Sequence, residues 1–141
     1  MSYDDKIKEL KIKLPEAKPP VGNYVATKVI GKILFVSGQI SIDENGQLIK
    51  GKVGKELDIE AGYNAAMRCA LSIIAQVKKA CDNDLSKVKS CVKLTGFVNS
   101  TNEFTDQPKI INGASDLIAS VFGDSGMHTR AAVSTNSLPL G

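Results

Sequence analysis

The sequence predicts a single α+β domain, a mixed β-sheet in the order β-β-β-α-β-α-β with two helices packed on one face. Three observations carry that prediction. Hydrophobic residues repeat with period two in an early block and in two later segments, and with a helical period in two long stretches between and after them. An Asn-Gly step among the early strands marks a tight hairpin. The chain has 141 residues, with 43% hydrophobic and 23% charged residues, which suits one folded domain.

Taken in order, the segment DDKIKELKIKL places Ile7, Leu10 and Leu14 at helical spacing until Pro15 stops it. The run EAKPP reads as an extended connector, so residues 1–18 are an N-terminal helical extension and linker. The main domain then spans residues 19–141. Residues 23–30 and 33–42 alternate as strands on either side of Gly31-Lys32. After the turn Asp43-Glu44-Asn45-Gly46, residues 47–54 return as a third strand, whose glycines and lysines suit a sheet edge.

The first long helix is expected from Asp58 to Cys81. Ala66, Cys69, Ala70, Ile73, Ile74, Val77 and Ala80 form its apolar stripe. Residues 88–99 alternate as a strand with Leu94 and Val98 on one face and Lys93 and Phe97 on the other. The second helix is capped by Asp106, starts with Pro108 and stops at Gly123. Residues 128–137 make the last strand in view. The helices cover one face of the sheet, and apolar residues on the other favour a homo-oligomer whose sheets pack together.

Composition narrows the chemistry. There is one histidine, His128, no tryptophan, and only Arg68 and Arg130 among 18 basic residues. A zinc site draws on clustered His and Cys ligands, and a Ser-His or Cys-His nucleophile would need His128 in one specific place. Scattered lysines, few aromatics and scarce arginine argue against nucleic-acid binding at a net charge of +3. Cys69, Cys81 and Cys91 lack CxxC spacing and read as buried or free thiols in a reducing, cytoplasmic compartment. No apolar run approaches the ~20 residues that cross a bilayer.

Three places could carry chemistry. Ser37-Gly38-Gln39 ends an apolar strand; either it is a bulge or bend, or Gly38 lets a ligand reach bare backbone amides. Arg130 opens the apolar strand RAAV. Either it pairs with a neighbouring acid on the surface, or its planar fork holds a carboxylate through two parallel hydrogen bonds. His128 reads as an exposed loop residue and Arg68 as helix surface. Gly123-Asp124-Ser125-Gly126 resembles a phosphate loop only weakly and reads as a helix exit.

Asn23-Tyr24-Val25, Leu34-Phe35-Val36-Ser37-Gly38-Gln39-Ile40, Phe97-Val98 with Phe104, Asn112, and Arg130-Ala131-Ala132-Val133 with Leu138-Pro139 together resemble the Rid (YjgF-type) family of reactive intermediate deaminases. The likeness covers residues 19–141 and is nearest to a subgroup with an N-terminal helical extension. It implies a chorismate-mutase-like fold, a homotrimer with clefts between subunits, and no metal or other cofactor. It also implies hydrolysis of small 2-imino acids, or their enamine tautomers, to 2-oxo acids and ammonia.

By the same resemblance Arg130 would clamp the substrate carboxylate, aided by the Gly38 amide, with Tyr24, Ser37 and Asn112 lining the cleft. Ala132 stands where the archetype has cysteine, and its backbone carbonyl would serve instead. The glutamate that orients water in the archetype belongs to a final strand expected beyond Gly141. Two other readings remain: a non-catalytic protein that binds small carboxylates, and an endoribonuclease or translation inhibitor.

Overall fold

The structure, a computed structural model, describes residues 1–141 and contains three α-helices and four β-strands. Helix α1 (Tyr3–Glu9) precedes the hairpin β1 (Thr27–Ile30) and β2 (Ile33–Val36). Helix α2 (Ile59–Ala80), β3 (Lys93–Asn99), α3 (Gln107–Phe122) and β4 (Thr129–Thr135) follow, with short 3-10 turns at Leu85–Lys87 and Gly123–Gly126.

Both kinds of strand pairing expected of a mixed sheet are present, in two separate pieces. β1 and β2 pair antiparallel, and β3 and β4 pair parallel in the register Leu94 to Arg130, Gly96 to Ala132 and Val98 to Ser134. The helices α2 and α3 pack against each other and lie over these strands, α2 over β1–β2 and α3 over β3–β4. Ala70, Ile74, Leu94, Val98, Ile110, Ile111, Ala114 and Ile118 form the core between the layers. The fold class is therefore the α+β arrangement expected, with short sheets.

The predicted third strand is absent. Residues 47–54 make only isolated bridges, Ile42 with Leu48 and Val53 with Leu57 and Ser100. Gly51 and Gly54 adopt φ of +125° and +94°, which no continuous strand accommodates. The segment is drawn toward the end of β3 instead: Val53 N–H donates to the Asn99 carbonyl at 2.9 Å and Lys52 Nζ to Asn99 Oδ1 at 2.9 Å. The Asp43–Gly46 turn does form, with Asp43 Oδ1 accepting from the amides of Asn45 and Gln47 at 2.9 Å each.

Helix α1 is shorter than its apolar spacing suggested. Lys11 takes φ 55°, Lys11 N–H donates to Lys8 O and Ile12 N–H to Ile7 O, a Schellman closure that ends the helix before Pro15 can. Its residues join the main core. Ile7 is buried, and the Tyr3 ring meets Phe122 edge-on at 4.9 Å. Asp4 pairs with Lys78 at 2.7 Å and accepts from Leu85 N–H at 3.0 Å.

Helix α2 begins as expected, Asp58 accepting from Ala61 N–H at 2.8 Å. Asp106 occupies the cap position of α3 but makes no side-chain cap, because its backbone (φ −96°, ψ 35°) is not extended and cannot fold the carboxylate over the first amides. The carboxylate pairs with Lys109 instead. The two long helices touch backbone to backbone: a Cβ at Gly113 would lie 2.0 Å from Tyr63 O. Gly123 ends α3 at φ 59°, and Gly123–Gly126 is a helix exit.

Candidate functional site

Arg130 is the first residue of β4 whose side chain points toward the helix layer, since its register partner Leu94 is buried there. Lying at the mouth of that layer, it stays exposed and reaches the solvent-facing edge of α3. Its Nη1 donates to Asn112 Oδ1 at 2.8 Å and to Ser115 Oγ at 3.2 Å. Asn112 and Ser115 share that edge because they are three residues apart on a helix.

The acid-paired reading of Arg130 does not hold. The ion pairs of the chain are Lys6–Glu9, Lys78–Asp4, Lys87–Asp82 and Lys109–Asp106, and none involves Arg130. Asp116, one residue from Ser115, is taken by the Tyr63 hydroxyl at 2.7 Å, which raises the Tyr63 pKa. The guanidinium thus keeps its charge uncompensated, and three of its five N–H donors have no acceptor in the chain.

His128 is not the solvent-facing loop residue expected from sequence. It is half-buried, with Nδ1 2.6 Å from Gly126 O and Nε2 2.9 Å from Ser115 Oγ. Ser115 and His128 therefore belong to the Arg130 cluster, and sequence reasoning missed Ser115 altogether. The available signal was the spacing of Asn112 and Ser115 on one helix edge. Arg68 is also a correction: it is half-buried, and its Nε donates to Ile42 O at 2.7 Å, tying the 41–49 turn to α2.

Of the other expected site residues, Tyr24, Ser37 and Gly38 flank the β1–β2 hairpin, while Ala132 lies on β4. Ser37 N–H extends the hairpin by donating to Ala26 O at 2.9 Å, and its hydroxyl donates to Val25 O at 2.6 Å. The β1–β2 register runs without a bulge, so Gly38 is no ladder defect. Its amide makes no backbone hydrogen bond, and nothing lies within 4 Å of where a Cβ would stand. Tyr24 is exposed, with its ring over Gly22. Ala132 packs its methyl toward the core.

Within one chain, then, Arg130 meets Asn112, while Tyr24, Ser37 and Gly38 flank the ends of the β1–β2 hairpin with no hydrogen bond between the two groups. Two open hollows of about 420 and 470 Å³ lie elsewhere, one lined by Val53, Asp58 and Phe104, the other by Lys50, Lys52 and Asn136. No three His, Cys, Asp or Glu side chains come together as a metal site. Burial pushes the Cys69 thiol up to about 11, and the Cys81 and Cys91 thiols are also raised by burial, so none is an activated nucleophile. No helix is long and apolar enough to cross a membrane.

Residues 5–141 match the family model described as "YjgF/chorismate_mutase-like, putative endoribonuclease". The chain belongs to the Rid family. This Rid protein is 45% identical over 136 residues to protein TCP17 of Trypanosoma cruzi, covering 96% of this chain and 84% of the relative. It is 27% identical over 131 residues to the 2-iminobutanoate/2-iminopropanoate deaminase of Rattus norvegicus, covering 92% and 80%. The crystal structure of an endoribonuclease-named protein from Shewanella oneidensis superposes with a TM-score of 0.94 at 32% identity, covering 99% of this chain and 92% of that one. The Rid chain thus has the chorismate-mutase-like fold of its relatives.

Proposed function

We propose that this protein hydrolyses small 2-imino acids to 2-oxo acids and ammonia. The observation that carries the reading is Arg130, a guanidinium with no acidic partner, anchored through Nη1 and open on its remaining donors. A fork in that state suits a substrate carboxylate. The likeness to the rat deaminase supports the reaction class. An iminium carbon is already electrophilic, so water adds to it, the tetrahedral adduct loses ammonia, and C=NH2⁺ plus H2O becomes C=O plus NH4⁺. The protein's task is to hold the carboxylate and the attacking water in line, and orientation alone can supply several kcal/mol.

The same proposal covers assembly. Ile33, Phe35, Phe97 and Val133 leave an apolar surface on the sheet faces turned away from the helices. Its burial in a homotrimer would bring Tyr24, Ser37 and Gly38 of one chain against Arg130 of another. The Gly38 amide, free of backbone partners, then serves as a second carboxylate donor.

The test couples a dehydratase that releases 2-iminobutanoate to continuous measurement of the imine. Acceleration over buffer that is lost in Arg130→Ala supports the proposal; no acceleration, or full activity in the variant, rejects it. One observation favours a second reading, a carboxylate-binding protein without turnover: the side chains on Arg130 are Asn112 and Ser115, backed by His128, with no carboxylate among them to activate water. Binding of 2-oxobutanoate that needs Arg130, without imine hydrolysis, selects that reading.

A further inference from the structure

A chain of hydrogen bonds runs from a backbone carbonyl to Arg130, and for a neutral His128 ring the direction of each proton in it follows from chemistry. Gly126 O can only accept, so the proton between it and His128 Nδ1, 2.6 Å apart, sits on Nδ1. In the neutral ring Nε2 is then bare. Ser115 Oγ, 2.9 Å away, must give Nε2 its single proton. That turns a serine lone pair toward Arg130 Nη1 at 3.2 Å, while Asn112 Oδ1 takes the other Nη1 proton at 2.8 Å.

The start of this chain is fixed by packing. Gly126 is buried in the turn that follows α3, and a Cβ there would stand 2.6 Å from Ile118 O. The carbonyl that sets the histidine tautomer cannot readily move. The end of the chain is a guanidinium with both Nη1 protons spent and the edge formed by Nε–H and Nη2–H free.

We propose that Ser115 and His128 are positioning residues that hold Arg130 in the one orientation presenting its Nε–Nη2 edge to a ligand. Without them Asn112 alone holds Nη1, and the guanidinium plane swings about it. Locking the plane favours a flat, two-oxygen anion bound side-on, which is a carboxylate, over a single-point acceptor. This deepens the proposed function, and rests on it for the identity of the ligand.

Composition makes the test direct, because the chain has one histidine and two arginines, with Arg68 as internal control. Nitrogen NMR of the isotopically labelled, ligand-free protein should show His128 as the Nδ1–H tautomer at neutral pH. Rotation about the Arg130 Nε–Cζ bond should be slow enough to resolve Nη1 from Nη2. Ser115→Ala places a better helix former on α3 and so folds. It should speed that rotation while leaving Arg68 unchanged, and Ser115→Thr should restore slow rotation. The Kd for 2-oxobutanoate should rise about tenfold in Ser115→Ala, the loss of one hydrogen bond to a charged group, and should recover in Ser115→Thr.

An Nε2–H tautomer, or equal Arg130 rotation in wild type and Ser115→Ala, overturns the inference whatever the enzyme does. A slowed Arg130 in a protein that hydrolyses no imine leaves the positioning role standing and removes only the deaminase reading.

Discussion

Arg130 spends two of its five N–H donors on Asn112 and Ser115 and none on an acid, and that imbalance distinguishes it from Lys6, Lys78, Lys87 and Lys109, which each pair with a carboxylate. Replacing it by lysine keeps the charge but not the fork. We expect Arg130→Lys to lower kcat/KM for 2-iminobutanoate roughly 10²-fold, since each charged hydrogen bond is worth about 1.5–3 kcal/mol. Wild-type rates in the lysine variant would show that a point charge suffices. Cys69 makes the second residue-scale prediction. Its pKa rises from 9.0 to about 11 because burial disfavours the thiolate. The unfolded chain therefore loses this proton first, and the thiol's contribution to stability is complete below pH 9 and drains away as pH climbs toward 11. Urea midpoints measured at both ends of that window should fall more steeply in wild type than in Cys69→Ala, and equal slopes would contradict the assignment.

The elements are joined at places where side-chain volume is nearly zero. Helix propensity favours alanine over glycine by about 1 kcal/mol, yet at Gly113 packing wins. A methyl there meets the Tyr63 carbonyl at 2.0 Å, and a backbone atom in a long helix cannot step aside. Gly113→Ala should cost roughly 3 kcal/mol, seen as a lowered urea midpoint with an unchanged slope. A neutral or stabilised variant would mean that α2 and α3 separate easily. Helix α1 is held by the opposite device, a buried side chain: Ile7→Ala should cost about 2–5 kcal/mol through the hole it leaves beneath α1, read by thermal unfolding. If the loss is under 1 kcal/mol, the extension is not part of the cooperative unit.

At the scale of the whole molecule, the unpartnered sheet surface dominates. Ile33 and Phe35 on β2 and Phe97 on β3 keep 55%, 58% and 59% of their surface exposed, each on the side of its sheet turned away from the helices. In the proposed trimer each would contribute about 1.5–3 kcal/mol by burial. Phe97→Glu should therefore convert a trimer to monomers in sedimentation equilibrium and abolish imine hydrolysis with Arg130 untouched. Trimers that persist in this variant, or a monomeric wild type, would show that the surface has another use.

Much of this was legible in residue order. Strong periodicity places α2 from Asp58 to Cys81, one residue beyond each of its observed ends Ile59 and Ala80, and Gly123 marks the end of α3, because local backbone preference and one-sided burial act along the chain. The third strand expected over residues 47–54 does not form because Gly51 and Gly54 take positive φ angles, which residue order does not reveal. Membership of the Rid family was likewise written in the FVSGQI and RAAV segments. The direction in which chemistry-bearing side chains point was not. His128 and Ser115 are 13 residues apart, and Arg130 and Asn112 are 18 apart. Their meeting depends on how closely α3 settles on β3 and β4, where a Cβ at Gly96 would already stand 2.4 Å from Ile111. Side-chain chemistry and short-range pattern belong to the sequence. Which groups share a proton is decided by packing distances of a few tenths of an ångström, and those exist only in the folded chain.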